Sequence, residues 1–118
     1  MTSPALEDSR ISPGDLLALI RAGTAPAILD VRSRAEFVAG RVPGARHVPF
    51  WAVAFSRRRI PASAGDPLVV YCGQGPRAGV ARAALGLLGF TRVIDLDGHW
   101  EGWVRDRLPV EVGEPHGA

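Results

Sequence analysis

The chain holds a single thiol, Cys72, and the next five residues run Gly73, Gln74, Gly75, Pro76, Arg77. A thiolate becomes a strong nucleophile where a positive local potential stabilises it. Two glycines let the backbone after the cysteine curl, at positive φ where needed, until successive amides converge on one centre. A helix starting there adds the positive end of its dipole. Pro76 has no N–H to offer and suits the first position of such a helix. The donors left to face the sulfur are the amides of Gly73, Gln74, Gly75, Arg77 and Ala78. Arg77 can orient and neutralise an anionic substrate, or it can shape the loop by bonding its carbonyls. Such a cradle favours an anionic sulfur. An inert, buried strand-end cysteine is the plain alternative, and the glycine-rich loop, helix start and arginine together weigh against it.

One cysteine also sets limits. No internal disulfide or cysteine-rich metal cluster can form, so a reducing, cytoplasmic setting is expected. No second thiol in the chain can resolve an oxidised Cys72.

The elements that must position Cys72 follow from hydrophobic pattern and punctuation. Leu68 to Cys72 is a short apolar run that reads as a buried strand ending at the cysteine. Gly73 to Pro76 break it before a helix whose apolar face is expected at Val80, Ala83, Ala84, Leu87 and Leu88, with Gly89 as its stop. Upstream, Ser12, Pro13 and Asp15 read as a capped helix start, with Ile11 and Leu16 at the staple positions and a left-handed stop at Gly23. Ala27 to Val31 reads as a second buried strand, followed by a short helix through Glu36 and Phe37. A turn at Gly40, Pro43 and Gly44 precedes a short segment from His47 that Pro49 confines to a sheet edge. Arg92 to Leu96 is a further strand, and Trp100 to Leu108 a final short helix. Strands alternating with helices predict an α/β fold, a three-layer arrangement with a central parallel sheet flanked by helices on both faces. In such sheets ligands bind at the carboxyl ends of the strands, where Cys72 stands.

At this point the chain resembles a known family. Cys72-Gly73-Gln74-Gly75-Pro76-Arg77-Ala78 is similar to the active-site loop of rhodanese domains. Leu29-Asp30-Val31-Arg32, then Glu36-Phe37, then the stretch from Gly40 through Pro43-Gly44-Ala45 to Pro49 resembles the family's other hallmark. Leu88-Gly89-Phe90 to Val93, and Leu96-Asp97-Gly98 through Trp103, are similar to its usual ending. The likeness covers about residues 11 to 110 in the right order, and several motifs at family spacing are specific where one alone would be weak. Departures are Arg41 for a common His, read as a tolerated surface change, Pro76 where Asn is frequent, and His99 where a second Gly is usual.

The resemblance implies a rhodanese-like fold, with the domain over residues 9–110 between flexible ends at 1–8 and 111–118. It also implies a thiosulfate sulfurtransferase. Cys72 would take a sulfane sulfur from a small anionic donor such as thiosulfate, carry it as a persulfide, and pass it to cyanide, a thiol or a sulfur-accepting protein. Gly73, Gln74, Gly75, Arg77 and Ala78 would bind the substrate. Asp30 and Arg32, at a neighbouring strand end, are expected to support the loop, with Glu36 as a partner for Arg32 at helical spacing. His99 is a packing residue or a titratable donor beside the pocket. No metal or organic cofactor is called for. Cysteine phosphatases and arsenate reductases share the thiolate-in-a-cradle logic. Typical phosphatase loops place five residues between Cys and Arg, and here four intervene, with Tyr71 rather than His before the cysteine. A non-catalytic binding module is the rival from another class, and such modules often lose the cysteine that this chain keeps.

Composition narrows the remaining classes. The length of 118 residues suits one domain, and 47% hydrophobic residues suffice for a core. All 14 basic residues are Arg, the net charge is only +2, and the one cluster, Arg57-Arg58-Arg59, lacks the interleaved aromatics of a nucleic-acid footprint. That run is expected on a solvated face, the alternative being a patch that steers anionic donors or docks an acceptor protein. The first ten residues lack the apolar run of a signal peptide, and nothing approaches the ~18 apolar residues of a membrane span.

Overall fold

The computed structural model describes residues 4–115, so the expectations for residues 1–3 and 116–118 lie outside the described residues. Five parallel strands form one sheet in the order β1-β5-β4-β2-β3. These are β1 (Arg10–Ile11), β2 (Ala27–Asp30), β3 (Arg46–His47), β4 (Leu68–Tyr71) and β5 (Val93–Leu96). The helices are α1 (Pro13–Ala22), α2 (Arg34–Ala39), α3 (Pro76–Leu87) and α4 (His99–Arg105), with 3-10 turns at Phe50–Phe55 and Arg57–Arg59.

Strand alternation builds two cores from one sheet. Along β4, Val69 and Tyr71 point to one face, where Leu16 and Leu17 of α1, Phe37 of α2 and Trp103 of α4 meet them. Leu68, Val70 and Cys72 point to the other, against Ala78, Ala81 and Leu85 of α3 and Ala52 and Val53 of the 3-10 segment. Central β4 is buried throughout, as expected for a parallel strand covered on both faces.

Local signals hold at the helix ends. Ser12 Oγ accepts from the Asp15 amide at 3.1 Å, Pro13 is the first helical residue, and Gly23 closes α1 at φ 74°. Ser33 and Glu36 form a full capping box at the start of α2. The edge segment expected near Pro49 is β3, at one margin of the sheet.

Three expectations fail. The apolar face of α3 is turned from the predicted one: Ala84 and Leu88 still pack against the core, but Val80 is 53% and Leu87 89% exposed, and the buried stripe is Ala78, Ala81 and Leu85. Alanines let α3 lie close on the sheet and the Phe50–Phe55 turn, and a reading weighted by side-chain size favours the bulkier, wrong stripe. Arg41 is no surface residue. It is 5% exposed, donates to the carbonyls of Phe37 (3.2 Å) and Gly113 (2.8 Å), and covers the Phe37 ring at 4.4 Å. Residues 111–114, read as part of a flexible tail, bond back to this corner. Arg41 and Glu111 exchange backbone hydrogen bonds at 3.0 Å, the Gly113 amide donates to Val38 O at 2.8 Å, and Arg34 pairs with Glu114.

Among the described residues, no helix is long and apolar enough to cross a membrane.

Candidate active site

Register explains why the predicted residues gather at one edge of the sheet. Asp30 pairs with Tyr71 and Val70 with Asp95, so Arg32, Cys72 and His99 all follow the carboxyl ends of adjacent strands. Cys72 comes directly after β4 and is fully buried. Its Sγ accepts a hydrogen bond from the Gly75 amide at 3.0 Å. The chain thus turns back on the thiol within three residues, because Gly75 stands at φ 140°, a conformation that side-chain-bearing residues rarely adopt. Gly73 has a different use. A Cβ there would lie 3.1 Å from Arg77 Nη2, so its bareness lets Arg77 fold back over the loop. α3 then begins without a side-chain cap, which leaves the first-turn amides of Arg77 and Ala78 without intrahelical partners.

Helix α4 fastens the loop from the other side. Two amides of its first turn, Trp100 and Glu101, donate to the carbonyls of Cys72 (2.9 Å) and Gly73 (3.2 Å), and Glu101 Oε1 accepts from Gln74 Nε2 at 2.6 Å. His99 accepts from the Cys72 amide at Nδ1, 3.3 Å away, which puts the ring proton of the neutral imidazole on Nε2. That Nε2 faces Gly75, 3.4 Å from where a Cβ would be. His99 itself stands at φ 53°, a left-handed conformation that costs an L-residue on the order of 1 kcal/mol. Burial is the main cause holding the His99 imidazole below its usual value, with Arg10 adding to it and Asp95 and Asp97 opposing it. Its neutral form therefore stabilises the fold above the ordinary histidine range, and this contribution is lost as pH falls through the lowered value. His99→Gly removes both the left-handed strain and the hydrogen bond, each about 1 kcal/mol, so melting temperatures at pH 8 are expected to match closely. Between pH 7 and 5 the wild type should lose more stability than the variant. Parallel curves over that range would contradict this role.

Asp30 and Arg32 form the frame under the loop. Both are buried, and Asp30 accepts from Arg32 Nε at 3.1 Å and Nη2 at 2.6 Å, from the Arg32 amide at 2.9 Å and from Tyr71 Oη at 2.7 Å. Arg32 also donates to Gly40 O at 2.6 Å and lies 4.5 Å from the centre of the Trp100 ring. Burial first, and then the Asp30 carboxylate, hold the Tyr71 phenol well above 10, so it remains a donor. Glu36 was expected beside Arg32. Instead its carboxylate takes both ends of the Arg77 guanidinium, Nη1 at 2.6 Å and Nη2 at 3.1 Å. Those bonds are the main reason its pKa falls to about 2, with burial opposing and Ser33 assisting. Arg77 thus bonds a carboxylate 41 residues away in sequence rather than a loop carbonyl. The Arg57–Arg59 turn is exposed, with Arg57 lying over Phe90 and Arg59 bonded to His47 O at 3.0 Å.

The thiol thus stands at a parallel strand end, met by the Gly75 amide and followed by the start of α3. The Rhodanese-like domain model matches residues 12–106. This chain belongs to the rhodanese-like domain family. It is 34% identical over 108 residues to the thiosulfate sulfurtransferase GlpE of Pseudomonas entomophila, covering 92% of this chain and 94% of that protein. It is 32% identical over 87 residues to a sulfurtransferase of Allochromatium vinosum, covering 74% of this chain and 79% of that protein. Among solved structures, the human single-domain sulfurtransferase TSTD1 superposes with a TM-score of 0.71 at 26% identity, covering 83% of this chain and 96% of that one. The rhodanese-like domain of Alr3790 from Anabaena shares the fold at a TM-score of 0.78 and 24% identity, over 94% of this chain and 87% of that one. The expected family and the expected parallel α/β fold are thereby established.

Within a rhodanese-like loop, Gly75 is the position where substitution should matter most after the cysteine. Gly75→Ala forces a Cβ into a φ 140° backbone facing His99, at a cost on the order of 1–3 kcal/mol, and draws the Gly75 amide off the sulfur. Loss of one such donor is expected to lower sulfur transfer on the order of 10²-fold. Gly73→Ala meets only the movable end of Arg77, so its loss should be clearly smaller. Equal rates for Gly75→Ala and wild type would show that the Gly75 donor is dispensable.

Proposed function

We propose that this protein moves a sulfane sulfur from a small anionic donor such as thiosulfate to cyanide or a thiol, through a persulfide on Cys72. The observation that carries this reading is the Gly75 amide aimed at Cys72 Sγ at 3.0 Å, in a loop that starts at a strand end and closes into a helix. The Cys72 thiolate attacks the outer sulfur of thiosulfate, the sulfur–sulfur bond of the donor breaks, and sulfite leaves with its electron pair. The terminal persulfide sulfur carries the negative charge, which the Gly75 amide and the neighbouring amides of Gly73, Gln74, Arg77 and Ala78 would hold. Cyanide then takes that sulfur as thiocyanate, or a thiol takes it as a persulfide, and the thiolate returns. No cofactor enters the scheme. A reducing compartment such as the cytoplasm suits a lone thiol that must stay free.

Full burial of Cys72 is the one feature that favours the rival reading of a non-catalytic binding module. Under the sulfurtransferase reading, the loop held by Glu101 and Glu36 must shift to admit a donor. Initial rates of thiocyanate formation, varied in thiosulfate and cyanide, decide between them. Ping-pong transfer through one cysteine gives parallel double-reciprocal lines. Intersecting lines would exclude a free persulfide form, and absence of transfer from any donor would favour the binding module.

A further inference from the structure

The polar surroundings of the loop hold one guanidinium and two carboxylates. Arg77 is the one guanidinium bonded to a side chain at the loop mouth, and both of its terminal nitrogens are occupied by Glu36 in a fork-to-fork pair. Gln74 is bonded to a second carboxylate, Glu101. Arg32, the buried guanidinium of the frame, is committed to Asp30. One cation, Arg77, thus stands with two carboxylates, Glu36 and Glu101, around the loop. Arg77 Nη2 lies over Gly73, so the Glu36 carboxylate stands one guanidinium away from the loop backbone. With a pKa of about 2, Glu36 remains charged across the working range.

We infer that Glu36 sets the charge preference of this site: by occupying Arg77 and placing its own charge at the mouth, it favours singly charged sulfane-sulfur donors over the thiosulfate dianion. The inference rests on the sulfurtransferase reading and deepens it. An incoming dianion must either part Arg77 from Glu36 or sit beside an unneutralised carboxylate. A monoanion carries half the charge and meets about half the electrostatic penalty. Organic thiosulfonates, with one negative charge, react by the same bond changes as thiosulfate. Cys72 thiolate bonds to the outer sulfur, the donor's sulfur–sulfur bond breaks, and a sulfinate leaves in place of sulfite, so charge balances in both cases.

Glu36→Gln isolates this effect, because its amide oxygen can still accept from the Ser33 amide and keep the capping box. The test measures kcat/KM for thiosulfate and for methanethiosulfonate, with cyanide as acceptor, in wild type, Glu36→Gln and Arg77→Gln. In Glu36→Gln the thiosulfate value is expected to rise about tenfold, mainly through KM, and the methanethiosulfonate value about threefold. The ratio of the two donors thus moves about threefold towards the dianion. Arg77→Gln leaves Glu36 unneutralised and should move the ratio the other way, which keeps the test valid if either variant is poorly folded. Transfer with a donor ratio unchanged in both variants, or with both donors falling equally in Glu36→Gln, overturns the inference and leaves the sulfurtransferase reading standing. Failure of wild type to use either donor overturns both.

Discussion

Asp30→Ala is expected to destabilise the fold by about 3–5 kcal/mol, the largest stability effect of any single substitution in the site. Its carboxylate receives four donor groups: the Arg32 amide, two guanidinium nitrogens of Arg32 and the Tyr71 hydroxyl. Removing it leaves the Arg32 guanidinium, 2% exposed, with only the Gly40 carbonyl as a hydrogen-bond partner. A buried charge stripped of its counter-ion is among the costliest defects a core can carry, and small domains have only about 5–15 kcal/mol in total. Tyr71→Phe removes a hydroxyl that donates to Asp30 and accepts from the buried Val42 amide at 3.1 Å, and should cost about 1–3 kcal/mol. Urea unfolding curves with similar slopes and midpoints in the order wild type, Tyr71→Phe, Asp30→Ala are the expected result. An Asp30→Ala cost below about 1 kcal/mol would mean that the frame is not held by this pair. Arg32 also stacks on Trp100, whose amide holds the Cys72 carbonyl, so loosened packing should reach the loop and lower activity as well.

Cys72→Ser is expected to abolish sulfur transfer while leaving the fold close to wild type. The replacement is nearly isosteric, and its hydroxyl can accept from the Gly75 amide as the sulfur does. A buried hydroxyl in place of a thiol costs about 1 kcal/mol. The chemical loss is far larger. A serine hydroxyl is far less acidic than a thiol and stays protonated, and there is no second cysteine to take over. Removal of an activated nucleophile lowers rates on the order of 10⁴–10⁶-fold, so thiocyanate formation should fall to the uncatalysed level. Turnover by Cys72→Ser above that level would remove the persulfide from the scheme.

What the sequence made legible was local or family-specific. The Ser12 cap and the Gly23 stop needed only short-range chemistry, and β2, β4 and β5 declared themselves as apolar runs between breakers. Cys72 stood out through the glycines and helix start beside it. The illegible parts depend on contacts distant in the chain. Two-residue β1 exists because Arg10 and Ile11 pair with Asp95 and Leu96. The face of α3 is fixed by the loop that sets its phase, not by which residues are largest. Arg77 finds Glu36, and Asp30 finds Tyr71, across parallel strands and crossovers that no local pattern encodes. Arg41 is buried because residues 111–113 return to cover it, a contact invisible at its own position. His99 was noticeable only as a departure from a usual glycine. Its backbone keeps the left-handed conformation a glycine would take, and its ring adds an acceptor for the Cys72 amide.

The central claim is that Cys72 itself carries the sulfur, and intact-mass analysis of the whole protein after incubation with thiosulfate tests it most directly. Wild type is expected to gain one sulfur atom, to lose it on addition of cyanide, and to lose it also to a thiol. Cys72→Ser should gain none under the same conditions. A wild-type mass unchanged by thiosulfate, methanethiosulfonate and a persulfide donor, or a sulfur adduct of equal yield on Cys72→Ser, would contradict it.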